Sequence, residues 1–350
     1  MQTLRESIGT FTLIIQYIGG KKLNHTKEIT YGEAIRLAML EEMRREPKIF
    51  IMGEDISGDY YMMTTTRKLL DEFGPERVID TPCAESMFTG AALGAAFLGF
   101  RPIVEIMFND ILTYCIDQIV NQIAKTRFVL GGQIKNLPIV IRTRNGTAKY
   151  VGAAHSQTWE VWFAHTPGIV VALPSTPRDA KGMLKTALRG NDPVLFFEHK
   201  SLYGMKGPVP EEDYLIPLGK ADVKREGRDV TLVAYQLTLH EGLKAAEELE
   251  KEGISVEVVD PRTLYPLDME TIVKSVEKTG RLVVAHEACK LYGPGAEIVS
   301  TIVEKHMHLL KAPPKRVGMP HVPYPVSPPL EDHILPTKEK IAEALKDVVR

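Results

Sequence analysis

The chain has 350 residues, which is enough for about two domains of ordinary size. Hydrophobic residues make up 44% and charged residues 25% of the sequence, a balance typical of a globular protein with a large buried core. The formal net charge is -2 and the sequence holds no long block of lysine and arginine, which argues against a nucleic-acid-binding or membrane-surface protein.

The cysteines and the N-terminal residues indicate in which cellular compartment the protein is expected. Cys83, Cys115 and Cys289 are far apart, which argues against a disulfide framework and favours a reducing cytoplasm. No stretch approaches the ~20 apolar residues of a membrane helix. The run FTLIIQYI at 11–18 resembles a signal-peptide core, but Glu6 replaces the basic region and no small-residue cleavage site follows. Of the two alternatives, a targeting segment and an N-terminal extension over 1–27, we favour the extension.

From about Ile29 onward, helical and strand patterns alternate. Apolar spacing predicts a helix over Tyr31–Arg45, and Pro47 separates it from a buried strand. The small residues of GAALGAAFLG predict a helix that packs closely against a neighbour. In this half we expect strands at 49–52, 78–80, 102–106, 137–142, 170–173 and 194–197, and helices at 31–45, 87–98, 111–125 and 178–188.

Residues 199–218 are rich in glycine, proline and charge, a composition that predicts a linker. Beyond it we expect strands at 230–234, 255–259 and 282–285, and helices at 239–251 and 296–304. Strands that alternate with helices imply parallel sheets with right-handed crossovers. The sequence therefore predicts an α/β protein of two domains, each with a mainly parallel sheet flanked by helices.

Parallel sheets bind ligands beyond the carboxyl ends of their strands. In the first half these ends carry Glu54, Glu85, Phe108 and a loop of small residues that contains His155. Glu85 precedes a helix, where a carboxylate either caps the helix or serves a site. The imidazole of His155 suits proton transfer near neutral pH, although a loop histidine is also commonly a surface residue.

Other ligand motifs are missing from the sequence. The remaining histidines form no spaced metal pair, and His306 and His308 lie at a predicted helix end, so we predict no transition-metal site. No GxGxxG follows the first strand, and neither a Walker motif nor a GxSxG elbow occurs. The residues alone therefore predict a two-domain α/β protein with a polar site at strand ends.

Several longer stretches of the sequence are informative when they are taken together. They are FIMGED (50–55), FGPERVIDTP (73–82), GAALGAAFLGFRPIVEIMF (90–108), DQIVNQIAK (117–125), GAAHSQ (152–157), HTPGIVVALPSTPRDAKGMLKTALRGNDPV (165–194), EEDYLIPLGKADVKREGRDVTLVAY (211–235), GISVEVVDPRTLYPLD (253–268) and KTGRLVVAHEA (278–288). These stretches resemble one family, the beta subunits of 2-oxo acid dehydrogenase decarboxylases, which include the pyruvate, branched-chain and acetoin dehydrogenases. They occur in the family's order over nearly the whole chain after residue 28.

The resemblance implies a transketolase-like arrangement with a pyrimidine-binding domain at 28–198, the linker, and a C-terminal domain at 219–350. It also implies an alpha2-beta2 heterotetramer with thiamine diphosphate between alpha and beta subunits. In the family the alpha subunit holds the diphosphate and magnesium through a GDG…NN motif. This sequence contains neither GDG nor an Asn-Asn pair, which fits that division.

The resemblance also implies roles for individual residues. Glu85 matches the glutamate that faces a ring nitrogen of the cofactor's aminopyrimidine and shares a proton with it. His155 matches a histidine near the substrate that acts during acyl transfer to a lipoyl group. Glu54 and Phe108 match positions close to the cofactor.

Some family members bind potassium through backbone carbonyls, and matching positions exist here. Gly190 stands where many members have aspartate, Ile111 where many have an aromatic residue, and Ala154 where many have glutamine; the last two leave the choice of substrate open. The matching carbonyls belong to Ile139, Ala187, Leu188, Gly190 and Asp192.

Three functions are compatible with the sequence. The first is oxidative decarboxylation of a 2-oxo acid with acyl transfer to a lipoyl-bearing acyltransferase core; the second keeps fold and cofactor but cleaves acetoin. EHKSLYGMKGPVPEE (198–212) and PHVPYPVSPPLED (320–332) are slightly more similar to acetoin dehydrogenase beta chains. The third is a catalytically silent assembly subunit, which the presence of Glu85 and His155 argues against. We further expect the helix over Gly90–Gly99 to face a partner chain.

Overall fold

The computed structural model describes residues 17–18, 21–22, 25–58 and 65–350, with side chains for the last two ranges. Most of the signal-like run at 11–18 lies outside the described residues. Within them, no helix is both long and apolar enough to cross a membrane. Two mainly parallel sheets, flanked by helices, form the two halves of the chain, as predicted.

The first half is built on a seven-stranded sheet in the order β14-β8-β9-β7-β6-β4-β5, in which β14 (Thr263–Tyr265) comes from the second half of the chain. All neighbouring strands are parallel except β14, which pairs antiparallel with β8. The strands in this half, with two short pairs outside the sheet, are β1 (Tyr17–Ile18), β2 (Lys21–Lys22), β3 (Thr26–Thr30), β4 (Ile49–Glu54), β5 (Val78–Thr81), β6 (Arg101–Ile106), β7 (Val140–Asn145), β8 (Val170–Ala172), β9 (Val194–His199) and β10 (Lys206–Pro210).

Helices cover both faces of this sheet. The first begins after Thr30, whose hydroxyl accepts a hydrogen bond from the backbone N–H of Glu33 at 3.2 Å and so satisfies one orphan donor of the first turn. Its apolar stripe packs on the sheet, with Ile35 and Met39 fully buried. The helices are α1 (Tyr31–Arg45), α2 (Leu69–Phe73), α3 (Glu85–Phe97), α4 (Ala124–Val129), α5 (Glu160–Ala164) and α6 (Pro177–Arg189).

The single helix predicted over 111–125 is wrong in its detail. The segment begins as a 3-10 helix over Asn109–Cys115, widens to π-type turns over Gln118–Ile123, and becomes α-helical only in α4. Asn109 bonds to the loop that follows β7, and this tertiary contact fixes the start of the segment. The apolar spacing that we used for the prediction carries no record of such a contact.

The second half has a five-stranded sheet in the order β11-β13-β12-β15-β16, parallel except for β11. Its central strand Val230–Ala234 is fully buried, because helices cover both faces of the sheet. Its strands are β11 (Asp222–Arg225), β12 (Val230–Ala234), β13 (Val256–Asp260), β15 (Leu282–Cys289) and β16 (Lys315–Met319); its helices are α7 (Gln236–Lys251), α8 (Met269–Thr279), α9 (Pro294–His306), α10 (Pro328–Ile334) and α11 (Lys338–Val349).

Two connections tie the halves together. The segment 199–218 is more than a tether, because β10 within it pairs antiparallel with β3, and Val209 and Ile216 are buried. From the second half, β14 (Thr263–Tyr265) returns to extend the sheet of the first half. We predicted neither strand. The three residues of β14 show no alternating apolar pattern, and β10 lies within the segment that we predicted to be a linker.

Candidate active site

Glu85 is the first residue of α3, directly beyond the carboxyl end of β5. The residue before it, Ala84, offers no side-chain cap, and the carboxyl of Glu85 accepts no hydrogen bond from any described residue. A carboxylate in the first helical turn is stabilised as the anion. Glu85 is half-buried and keeps its oxygens available to a ligand, so it does not serve as a cap.

A second carboxylate lies close by at the end of β4. The Cys83 thiol donates to Oε1 of Glu54 at 2.5 Å. This bond is the main cause that raises the pKa of Cys83, followed by burial and by the charges of Glu54 and Glu85. Both carboxylates therefore act on the same thiol, and they form one acidic corner of the site.

His155 forms the opposite corner, in the loop beyond β7. Its imidazole is exposed and packs edge-on against the ring of Phe108, with centroids 4.7 Å apart. Lys200 donates its ammonium to the carbonyl of His155 and also lies 5.3 Å from the Phe108 ring centroid. Phe108 thus lies between an imidazole and an ammonium, an arrangement that cation–π attraction favours.

The two corners do not touch within this chain. Glu85 follows β5 and His155 follows β7, with β4 and β6 between them in the sheet. Neighbouring strands lie about 4.8 Å apart, which places the ends of β5 and β7 about 14 Å from each other. A ligand, rather than a direct bond, has to span this gap.

Side chains at the end of β6 hold the His155 loop in place. The amide of Asn109 donates to the carbonyl of Gln157 at 2.7 Å and accepts from the backbone N–H of Trp159 at 2.9 Å. The side-chain amide of Gln157 donates to Asp110 at 2.9 Å. These bonds fix one side of the loop to the sheet.

The second half fixes the other side of the loop through Glu287. Its carboxylate contacts Nε2 of His199 at 2.7 Å and accepts the backbone N–H of Thr147 at 2.6 Å and the hydroxyl of Tyr324 at 3.0 Å. The loop can pass this close because Gly146 has φ of +75° and a Cβ there would lie 2.1 Å from the His199 ring. The loop is therefore clamped between the halves.

Beneath the site, a buried ionic network crosses three neighbouring strands, β6, β7 and β9. Arg142 contacts Glu105 at 2.6 Å and Glu198 at 2.7 Å, and Arg144 contacts Glu105 at 2.8 Å. Burial lowers the pKa of Arg142, but the two carboxylates outweigh it and keep the pKa raised. We did not predict this network, although ionisable residues inside apolar strand runs were its visible signal in the sequence.

Two family models match the chain. Residues 27–206 match the transketolase pyrimidine binding domain, and residues 219–341 match the transketolase C-terminal domain. The 2-oxoisovalerate dehydrogenase subunit beta of Bacillus subtilis (strain 168) is 44% identical over 322 residues, which are 91% of this chain and 98% of that protein. The chain belongs to the family of beta subunits of 2-oxo acid and acetoin dehydrogenases.

Other relatives of this beta-subunit family are equally similar. The acetoin:2,6-dichlorophenolindophenol oxidoreductase subunit beta of Bacillus subtilis (strain 168) is 44% identical, over 92% of this chain and 97% of that protein. The mitochondrial pyruvate dehydrogenase E1 component subunit beta-2 of Oryza sativa subsp. japonica is also 44% identical, over 91% of this chain and 86% of that protein. Sequence identity therefore does not show which of these relatives shares its substrate with this chain.

Among solved structures, a split gene transketolase described as an inactive beta4 tetramer matches with a TM-score of 0.75 and 25% identity, over 92% of this chain and 98% of that chain. The match and the two family models confirm the predicted transketolase-like fold. A pyrimidine-binding domain of this kind implies binding of thiamine diphosphate.

Four of the five carbonyls at which the family resemblance suggests potassium accept hydrogen bonds from protein donors. Arg101 donates to the carbonyl of Leu188 at 2.9 Å and also to that of Gly190. The carbonyls of Ile139 and Ala187 accept backbone N–H groups, and the carboxylate of Asp192 pairs with Arg127. An arginine thus supplies positive charge at this place, and potassium binding stays a prediction. Among the described side chains, no group of three His, Cys, Asp or Glu is arranged to hold a metal ion.

Proposed function

We propose that this chain is the beta subunit of a thiamine-diphosphate-dependent 2-oxo acid dehydrogenase. It would act in an alpha2-beta2 heterotetramer and pass the acyl group to a lipoyl carrier on an acyltransferase core. The observation that carries the proposal is the half-buried carboxyl of Glu85, which begins α3 without a hydrogen-bond partner among the described residues. Its three unpaired cysteines suit the cytoplasm.

Glu85 is suited to share a proton with a ring nitrogen of an aminopyrimidine. Its carboxyl lies at the start of α3 without a hydrogen-bond partner among the described residues, and the ring of Phe108 supplies an apolar surface on the far side of the gap. Glu54 stays close to Glu85 through Cys83 and adds negative charge to this corner. When bound, thiamine diphosphate would supply the electron sink for loss of carbon dioxide.

His155 is suited to move a proton on the substrate side. Its imidazole is exposed at the gap, while its backbone is held by Lys200 and its loop by Glu287 and Asn109. A rigid loop with a mobile proton is what general acid–base catalysis requires. Magnesium and the diphosphate would be held by the alpha subunit.

Exposed apolar residues on and after α3 support a partner chain. Met87 is 53% and Leu98 80% exposed, and both lie on the face that also bears Gly94, which has no neighbour within 4 Å of an added Cβ. Phe128, on the neighbouring helix α4, is 90% exposed as well. Obligate interfaces are large and apolar, so we propose that this surface is covered in the assembled enzyme.

The runner-up function is cleavage of acetoin by the same site. The equal identity to an acetoin:2,6-dichlorophenolindophenol oxidoreductase subunit beta supports keeping it. A catalytically silent assembly role has less support, because Glu85, Glu54, Phe108 and His155 all lie at the same edge of one sheet.

Replacing Glu85 with glutamine tests the proposal. Activity would be measured with an artificial electron acceptor in the assembled alpha–beta enzyme, with pyruvate, branched-chain 2-oxo acids or acetoin. Because the variant cannot accept the shared proton, we expect kcat to fall about 100-fold or more. The matched control is Glu76→Gln, an exposed carboxylate in the turn before β5. Full activity in Glu85→Gln would remove the catalytic role and leave the assembly role. In the wild-type enzyme, the best substrate decides between a 2-oxo acid dehydrogenase and an enzyme that cleaves acetoin.

A further inference from the structure

A cavity of about 560 Å³ opens at the same sheet edge as the candidate active site. It lies between the start of α1, the loop after β7 and the segment after β9. Because α1 runs into β4, its first turn lies at the carboxyl edge of the sheet. The lining residues that bear charge or a hydroxyl are Thr30, Glu33, Arg36, Arg67, Arg144, Lys149, Lys200, Ser201 and Tyr203.

The charges that line this cavity are unbalanced. Glu33 is the single carboxylate among the described lining residues, and both of its oxygens are bound by Arg36 at 2.7 Å. Arg144 is buried and is bound to Glu105 and to the hydroxyl of Tyr203. Arg36 and Arg144 each retain Nη1 without a hydrogen bond to a described residue.

Two lysines on the wall have no carboxylate within ion-pair distance among residues 25–58 and 65–350. These are Lys149, which is exposed on a loop, and Lys200, whose ammonium donates to the neutral carbonyl of His155. With the two unused guanidinium nitrogens, they give the cavity four donors that carry positive charge. The hydroxyls of Thr30 and Ser201 lie on the same wall.

Lys200 is held in an environment that disfavours its charge. The pKa of Lys200 is lowered to about 8, chiefly by burial and also by the charge of Arg144. The charges of Asp110, Glu287 and Glu331 oppose this without contacting the ammonium. An anion beside a partly buried ammonium stabilises the charged form. The position is therefore suited to a bound counter-ion.

We propose that this cavity binds a small oxyanion, the phosphate or carboxylate group of a metabolite, between Lys149, Lys200 and Arg144. The volume matches pockets that enclose small molecules, which are typically about 300–1,000 Å³. Since Lys200 also holds the carbonyl of His155, occupancy of the cavity is coupled to the position of His155. Binding needs no turnover, so it is independent of the reaction proposed above.

The test is calorimetric titration of the full chain, without cofactor, at constant ionic strength. Inorganic phosphate represents the phosphate group and malonate the carboxylate group. Hydrogen bonds to charged groups contribute about 1.5–3 kcal/mol, so Lys149→Met and Lys200→Met should each weaken the bound anion about tenfold or more. The matched control is Lys135→Met, which removes a charge from an exposed loop before β7, at the opposite edge of the sheet.

The anion that binds more tightly assigns the group that the cavity recognises. Binding of neither anion overturns the proposal, and so does equal binding by Lys149→Met and Lys135→Met. Because Lys149 is exposed, its variant keeps the test valid even where Lys200→Met fails to fold. In the folded wild type the anion should move the ring signals of His155 in NMR spectra, and in Lys200→Met it should not. Movement that persists in Lys200→Met overturns the coupling.

Discussion

The carboxyl edges of the two sheets resemble each other in topology but differ in how their polar groups are used. In the first half, charged residues lie inside the strands, as Arg142 does, while Glu85 and His155 beyond them remain open to a ligand. In the second half the central strand Val230–Ala234 carries no charged residue, and Glu287, near the carboxyl end of β15, is bound to the first half. One edge thus forms the candidate site and the other clamps it.

The two sheets differ in the interactions that stabilise them. A buried ion pair recovers its desolvation cost only when each charge keeps its partners, so the first sheet depends on complete pairing. The central strand of the second sheet, β12, depends on apolar burial and on a small hydroxyl cluster in which Thr231 contacts Ser275 and Thr279, both at 2.8 Å. Substitutions in the two sheets should therefore lower the free energy of unfolding by different amounts.

Arg142→Met should lower the free energy of unfolding by about 3–5 kcal/mol, because it leaves Glu105 and Glu198 without their shared partner in the interior. Denaturant unfolding of the full chain measures this loss. The comparison is Thr231→Val in the second sheet, where we expect about 1 kcal/mol. Equal losses in the two variants would remove the distinction between the sheets.

The pH dependence of stability tests the contact between the halves at Glu160. Burial raises its pKa to about 7, although Tyr235 donates to it at 2.8 Å. Folded Glu160 therefore keeps a proton that the unfolded chain releases, and its contribution to stability is lost as the pH rises through about 7. Glu160→Gln removes this loss. Relative to wild type, the variant should gain on the order of 3 kcal/mol between about pH 5 and about pH 8. A difference that stays constant with pH would contradict the raised pKa.

Glu287→Gln should loosen the clamp on the His155 loop by about 2 kcal/mol, since a neutral amide replaces the charged partner of His199 and Thr147. Hydrogen exchange should speed up across the loop at 146–157 and remain slow in β12. Glu297→Gln, on the exposed side of α9, is the control. Unchanged exchange in the loop would mean that the bonds made by Asn109, Asp110 and Lys200 are sufficient to hold it.

Leu98→Lys should change the stability of the isolated chain by less than about 0.5 kcal/mol, because Leu98 is 80% exposed. Its effect should appear in assembly, where a lysine would be buried in an apolar interface. Light scattering with and without the alpha subunit separates the two effects. Normal assembly of the variant would place the interface elsewhere.

Elements with a clear apolar period could be predicted almost to the residue. The helix Tyr31–Arg45 and the strand Val230–Ala234 have the expected bounds, since their patterns and the breaks at their ends are local. The strand expected at 137–142 instead covers Val140–Asn145, because the run LPIVIR is apolar beyond its paired residues. Pairing partners, unlike periodicity, are set by distant residues.

The same limit applies to the candidate site. The strand-end rule placed Glu54, Glu85, Phe108 and His155 at one edge of one sheet, where the structure has them. Their catalytic roles stay predictions. Lys200 escaped notice because it contacts a residue 45 positions earlier in the chain, which no local pattern records.

The position of β14 in the first sheet limits where the chain can be cut into fragments that fold. A fragment that ends between the two matched family regions would lack Thr263–Tyr265 and would leave the outer edge of β8 without its partner strand. A free strand edge invites pairing with other chains and aggregation. We therefore expect that the smallest piece that folds without aggregation extends past residue 265, and that the two matched regions unfold together.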